Sequence, residues 1–130
     1  MKRSYTVILL ALLISCSNDS SIDLSGGYFL ILEGKGGNLI GNRSVSTREI
    51  PSDVISYNFN DQFIIAKQKP GPTDNVIFNP TIYKDGRNKI YYWLIVHDKK
   101  LVLGPMNEQE FDNASLLFKV PKSLNFKLVD

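Results

Sequence analysis

KIYYWLIVH, residues Lys89 to His97, is the stretch that decides the architecture of this chain. In an extended segment successive side chains point to opposite faces, so Tyr91, Trp93 and Ile95 fall on one side and Tyr92, Leu94 and Val96 on the other. Both sides are apolar. A strand of that kind has to be covered above and below, which places it in the interior of a layered fold. Asp98-Lys99-Lys100 then turns the chain into Leu101-Val102-Leu103, an antiparallel neighbour.

Working outward, the upstream half predicts further strands. In Ile50–Asn60, Ile55, Tyr57 and Phe59 alternate with Ser56, Asn58 and Asn60, the period of two of a half-buried strand. Asn60-Asp61 tolerates left-handed geometry and predicts a tight hairpin into Gln62–Gln68 (QFIIAKQ). Gly27–Glu33 (GYFLILE) reads as a strand closed by the turn cluster Gly34-Lys35-Gly36-Gly37-Asn38, with Asn38–Ser46 returning as a weaker one. Lys69–Asn75 (KPGPTDN) fits no regular element and predicts the longest loop. Val76–Tyr83 predicts an edge strand, because Pro80 cannot donate to a ladder, and Asp85-Gly86 marks a turn.

Downstream, Gly104-Pro105 predicts the end of a strand. Asn107 is a favoured N-cap with Glu110 three residues on, and Met106 and Phe111 sit where a hydrophobic staple would close. The spacing predicts a helix over Glu108–Leu117, stopped by Pro121, and Ser123–Val129 (SLNFKLV) alternates as a last strand. The expected fold class is α+β, a mainly antiparallel sheet with one principal helix at about 108–117.

The N-terminus carries an address instead of structure. Lys2 and Arg3 precede an apolar run, Val7–Ile14 (VILLALLI), too short to span a hydrocarbon core of ~30 Å comfortably. Leu13-Ile14-Ser15-Cys16 resembles the bacterial lipoprotein signal, in which an apolar and a small residue precede a cysteine. That resemblance implies a signal peptide at 1–15, diacylglyceryl attachment to the Cys16 thiol, cleavage before Cys16 and acylation of the new amine. Several acyl chains anchor stably where one would be marginal. Cys16 is the only cysteine, so the chain has no intramolecular disulfide, and a thioether removes a thiol that an oxidising compartment would attack. Residues 17–25 (SNDSSIDLS) read as a flexible tether, leaving 26–130 as a single domain. Ser17 after the cysteine resembles outer-membrane sorting where the host has an outer membrane.

Charge excludes other classes of partner. The chain holds 15 Lys+Arg and 13 Asp+Glu, and Lys2 and Arg3 are the only charged groups before Cys16, so the remainder carries 13 of each. A neutral domain lacks the basic surface that nucleic acid requires, and equally a polybasic grip on anionic lipid. Hydrophobic content of 43% argues against disorder.

The order Gly26-Gly27-Tyr28, Ile64-Ile65-Ala66-Lys67-Gln68, Tyr92-Trp93-Leu94-Ile95 and Gly104-Pro105 with Glu110-Phe111 resembles a family of small uncharacterised bacterial lipoproteins, over about residues 13–118. The resemblance bears on localisation and fold. It implies no activity, ligand or catalytic residue.

Motifs for chemistry are sparse. His97 is the sole histidine, without the companions a metal site needs, and it reads as a strand-end residue beside a turn. No G-x-S-x-G elbow supports a serine nucleophile. Glu108 and Glu110 read as dipole and cap residues facing different sides of the helix. Gly34–Gly37 lacks phosphate-loop spacing and is a turn. One constellation remains, Tyr83, Tyr91, Tyr92 and Trp93 with Arg87 and Lys89 nearby. Some of these rings fill the core, while Tyr83, Tyr92 and Trp93 are the candidates for a binding surface.

The expected function is a non-catalytic, lipid-anchored, extracytoplasmic envelope protein that binds another envelope protein, without metal or cofactor. The alternative is a small-ligand or glycan-binding lipoprotein using the aromatic sheet face.

Overall fold

Two apolar faces on one strand require two covering layers, and the computed structural model provides a different one on each side. It describes residues 20–34, 36–45, 49–72 and 81–129. The elements are β1 (Ser20–Asp23), β2 (Tyr28–Leu32), β3 (Leu39–Asn42), β4 (Val54–Phe59), β5 (Phe63–Gln68), β6 (Tyr91–Val96), β7 (Leu101–Met106), α1 (Glu108–Leu117) and β8 (Lys127–Leu128). They form a three-stranded sheet, β1-β2-β3, and a five-stranded sheet, β7-β6-β5-β4-β8, with every pairing antiparallel. An antiparallel bridge between Ile40 and Ile50 connects the small sheet to the segment leading into β4.

The expected KIYYWLIVH strand is β6, and it lies inside the large sheet. Trp93 and Ile95 join Ile64 and Ala66 of β5 and Tyr28, Leu30 and Ile40 of the small sheet in one core. Leu94 and Val96 join Phe63, Ile65, Met106 and Phe111 in the other, beneath α1 and the C-terminal segment. The large sheet is thus the middle of three layers, with the small sheet on one face and the helix on the other.

Local chemistry accounts for the elements. The β4–β5 hairpin turns on Asn60, whose Oδ1 accepts from the backbone N–H groups of Gln62 and Phe63. The β1–β2 connection needs Gly26 and Gly27 because both residues have positive φ. Helix α1 starts on the expected capping box: Asn107 Oδ1 accepts from Glu110 N–H at 2.8 Å, and Glu110 accepts from Asn107 N–H. Met106 and Phe111 are both buried, as a staple requires. The helix ends with Val120 N–H donating to Ser115 O and Lys119 N–H to Leu116 O, the paired bonds of a Schellman motif. Lys119 occupies its left-handed position at φ 58.

Four expectations are corrected. Ser20–Asp23, read as tether, is a strand hydrogen-bonded to β2. β7 runs through Gly104-Pro105 to Met106, because a bulge opposite Trp93 absorbs the extra residue and an edge strand tolerates proline. Of the expected final strand only Lys127–Leu128 pairs, with Ser56 and Tyr57 of β4. Thr81–Tyr83 is not a strand, and the rest of the expected Val76–Tyr83 element, like 73–75 of the loop, lies outside the described residues.

Candidate functional site

Between α1 and the segment that returns from it runs an apolar groove of about 400 Å³. Ile65 of β5, Phe111, Ser115 and Leu116 of α1, and Val120, Leu124 and Phe126 line it, together with the exposed Asp112, Pro121 and Lys122. It exists because the last turn of α1 reverses sharply through Lys119 and Pro121, so that helix and return segment splay over the sheet. Leu116 and Leu117, at the C-terminal end of α1, are 72% and 74% exposed. Leu116 lines the groove, and Leu117 is exposed beside it on the helix. The hydroxyl oxygen of Ser115 is buried with no hydrogen-bond partner.

Three aromatic rings lie against one another here. Tyr92 packs on Phe111 at 5.2 Å between centroids, Phe111 on Phe126 at 5.5 Å, and Tyr92 on Phe126 edge-on at 6.0 Å. Lys67 Nζ sits 4.6 Å from the Phe126 centroid and 5.4 Å from that of Tyr92, a cation over two ring faces. The Tyr92 hydroxyl is held neutral: burial raises its pKa first, and the carboxylates of Glu108 and Asp112 raise it further.

The candidate surface residues Tyr83, Tyr92 and Trp93 therefore do not share a surface. Trp93 is 5% exposed, lies between the sheets and donates from Nε1 to Gln68 Oε1 at 2.7 Å. The fully buried Gln68 amide donates in turn to the Tyr83 hydroxyl and to Ser52 O. Tyr83 is half-buried, stacked against Tyr91 at 5.1 Å and under the Arg87 guanidinium, and burial raises its pKa. Only Tyr92 belongs to the groove region. Lys89 is exposed on the approach to β6, and Cys16 lies outside the described residues.

A second cavity, of about 280 Å³, holds the histidine. Ser25 Oγ lies 2.7 Å from His97 Nε2, and Tyr28, Asn42, Ser44 and Lys100 are close by. Burial lowers the His97 pKa, with the Asp98 carboxylate opposing, so the ring is neutral and can accept from the Ser25 hydroxyl. Gly26 makes this fit, since a Cβ there would stand 2.4 Å from the ring. Sequence reasoning missed the pair: 72 residues separate its members, and the only local sign is the Gly-Gly turn. The contact orients the imidazole.

Glu110 is committed to its cap and to Lys84 at 3.6 Å. Among the described residues no group of three or more His, Cys, Asp or Glu side chains is placed to hold a metal ion. No described helix is long and apolar enough to cross a membrane.

Residues 25–130 match the family described as "Protein of unknown function (DUF3997)". No curated protein and no solved structure matches the chain significantly.

Proposed function

The chain belongs to the family DUF3997, proteins of unknown function, and from that premise we propose that it is a non-catalytic, lipid-anchored protein of the cell envelope that docks another envelope protein in the groove beside α1. The observation that carries the reading is the groove itself, apolar along its walls and flanked by Leu116 and Leu117. Exposing two adjacent leucines that strongly costs solubility, and a partner that covers them removes the cost.

The anchor reading rests on Leu13-Ile14-Ser15-Cys16 and on the thiol being the chain's only one. Because β1 begins at Ser20, four residues after Cys16, an extended connection reaches only ~14 Å. A lipid on Cys16 would therefore hold the domain against its own membrane, where partners anchored in the same bilayer are met at high effective concentration. The glycan reading has weaker support, because Trp93 is buried and Tyr92 is packed against Phe111 and Phe126 instead of offering an open stacking face.

Two measurements test the proposal. Metabolic labelling with a clickable palmitate should mark the wild-type chain and leave Cys16→Ser unmarked; equal labelling of both would remove the anchor. A photo-crosslinking residue at position 116 in living cells should trap one discrete protein adduct, whereas the same probe at Leu128 should not. If position 116 trapped no protein, the groove would lose its assigned role.

A further inference from the structure

We propose that the cavity at His97 is a binding site for a small organic monoanion, a carboxylate carried on a short apolar body. The site is assembled from two sheets. Tyr28 and Asn42 are opposed residues of β2 and β3, and His97 and Lys100 bracket the turn from β6 into β7, which Lys100 N–H closes by donating to His97 O. All four line the cavity of about 280 Å³.

Its polar groups are set to donate. Asn42 Oδ1 is taken by the Ser44 N–H at 2.8 Å, which fixes the amide with Nδ2 as its remaining end. His97 Nε2 is taken by the Ser25 hydroxyl, and Nδ1 has no hydrogen-bond partner among the described residues. A ligand oxygen at Nδ1 selects the tautomer in which Ser25 donates to Nε2 and the ring donates from Nδ1. Lys100, exposed and without an ion pair among the described residues, supplies the charge. None of these three donors holds the fold together, so all three are available to one guest.

Charge and shape define that guest. None of the described residues lining the cavity is acidic, and Asp98, exposed on the turn, is the carboxylate whose field reaches the ring. One lysine beside a neutral imidazole balances one negative charge, whereas a phosphate dianion would leave its second charge unmatched. Val45, Ile95 and the Tyr28 ring make the other walls apolar, which suits a short hydrocarbon body. The imidazole is also held in advance of binding, between the Ser25 hydroxyl, the bare Cα of Gly26 and the Tyr28 ring at 5.8 Å.

His97 is the only histidine, so nitrogen-labelled histidine in the full chain, held in detergent micelles, gives one imidazole to follow by NMR. Titration with isovalerate should shift the ring signals along a saturable curve, and the isosteric isovaleramide should not. Inorganic phosphate should bind more weakly than isovalerate. Lys100→Met should weaken isovalerate binding roughly tenfold. Asn42→Asp keeps the acceptor for Ser44 N–H, replaces the donor with a carboxylate oxygen and should abolish saturation. Lys100→Met decides alone if Asn42→Asp fails to fold, since no ion pair among the described residues is lost with that lysine. A linear response to isovalerate, equal binding of the amide, tighter binding of phosphate, or wild-type affinity in either variant would overturn the inference. The docking reading is untouched by any of these results, because the α1 groove lies on the opposite face of the large sheet.

Discussion

The two faces of the large sheet are built from the same strands and end in different states. Toward the small sheet, Leu30, Ile40, Ile64 and Ala66 are fully buried, and even the polar atoms are matched, since Gln68 bridges Trp93, Tyr83 and the Ser52 carbonyl. Toward α1, a ten-residue helix and an irregular return segment do the covering, and a groove remains with two leucines in solvent. The difference teaches where stability and recognition reside in this molecule. A sheet laid on a sheet buries a continuous core beside two cavities, the one holding His97 and one of about 380 Å³ lined by Leu32, Asp53 and Val129, whereas one short helix leaves two leucines in solvent beside its groove.

The sharpest way to break that contrast is to open the closed face. Trp93→Ala removes a ring that packs against Gly104 and strands the Gln68 carbonyl, and should cost about 3–5 kcal/mol in urea unfolding. Gly104→Ala attacks the same contact from the other side. Its φ is 145°, and a Cβ would stand 2.5 Å from the Trp93 ring, so a loss of roughly 1–3 kcal/mol is expected from the same titration. On the helical face, Asn107→Ala deletes the N-cap and should cost about 1 kcal/mol, read as a lowered melting temperature with reduced exchange protection confined to α1.

These sites differ in how plainly the sequence announces them. The alternation in KIYYWLIVH and the cap at Asn107 are local signals, and β6 and α1 stand where those signals put them. β1 carries no such signal, because Ser20, Ser21 and Asp23 have no buried side to advertise and are held by backbone pairing with β2. Gly104-Pro105 reads as a strand stop because the bulge that lets the strand continue depends on the distant Trp93 ring. Alternation also assigns Trp93 and Tyr92 to opposite faces without saying what lies over either. The groove is less legible still: it arises from how α1 and the Pro121–Phe126 segment settle on β5, and a lysine at the left-handed position of the helix end does not advertise a reversal as glycine would.

A smaller effect is expected from pH, and it belongs to the closed side. Burial holds the His97 pKa below its ordinary 6.5, so the unfolded chain binds more protons than the folded one once the pH falls past that value. Stability is therefore complete above about pH 6.5 and declines below it, down to the lowered folded value. Melting curves at pH 7.5 and 5.5 should show the decline in the wild type, and His97→Gln should flatten it. Smallest of all, Leu116→Ser should change stability by less than about 0.5 kcal/mol, since the side chain is mostly in water, while abolishing capture by a photo-crosslinking probe placed at the groove residue Lys122. A large loss of stability from this variant would mean that Leu116 belongs to the core and not to a docking surface.

The most direct test of the contrast is hydrogen exchange on the full chain in native membranes, compared with the same chain extracted into dilute detergent. If the helical face is where a protein partner docks, amides of α1 and residues 119–126 are more protected in the membrane, and those of β2 and β3 are unchanged. Equal protection of 108–126 in both states, or added protection confined to the small sheet, would contradict the account.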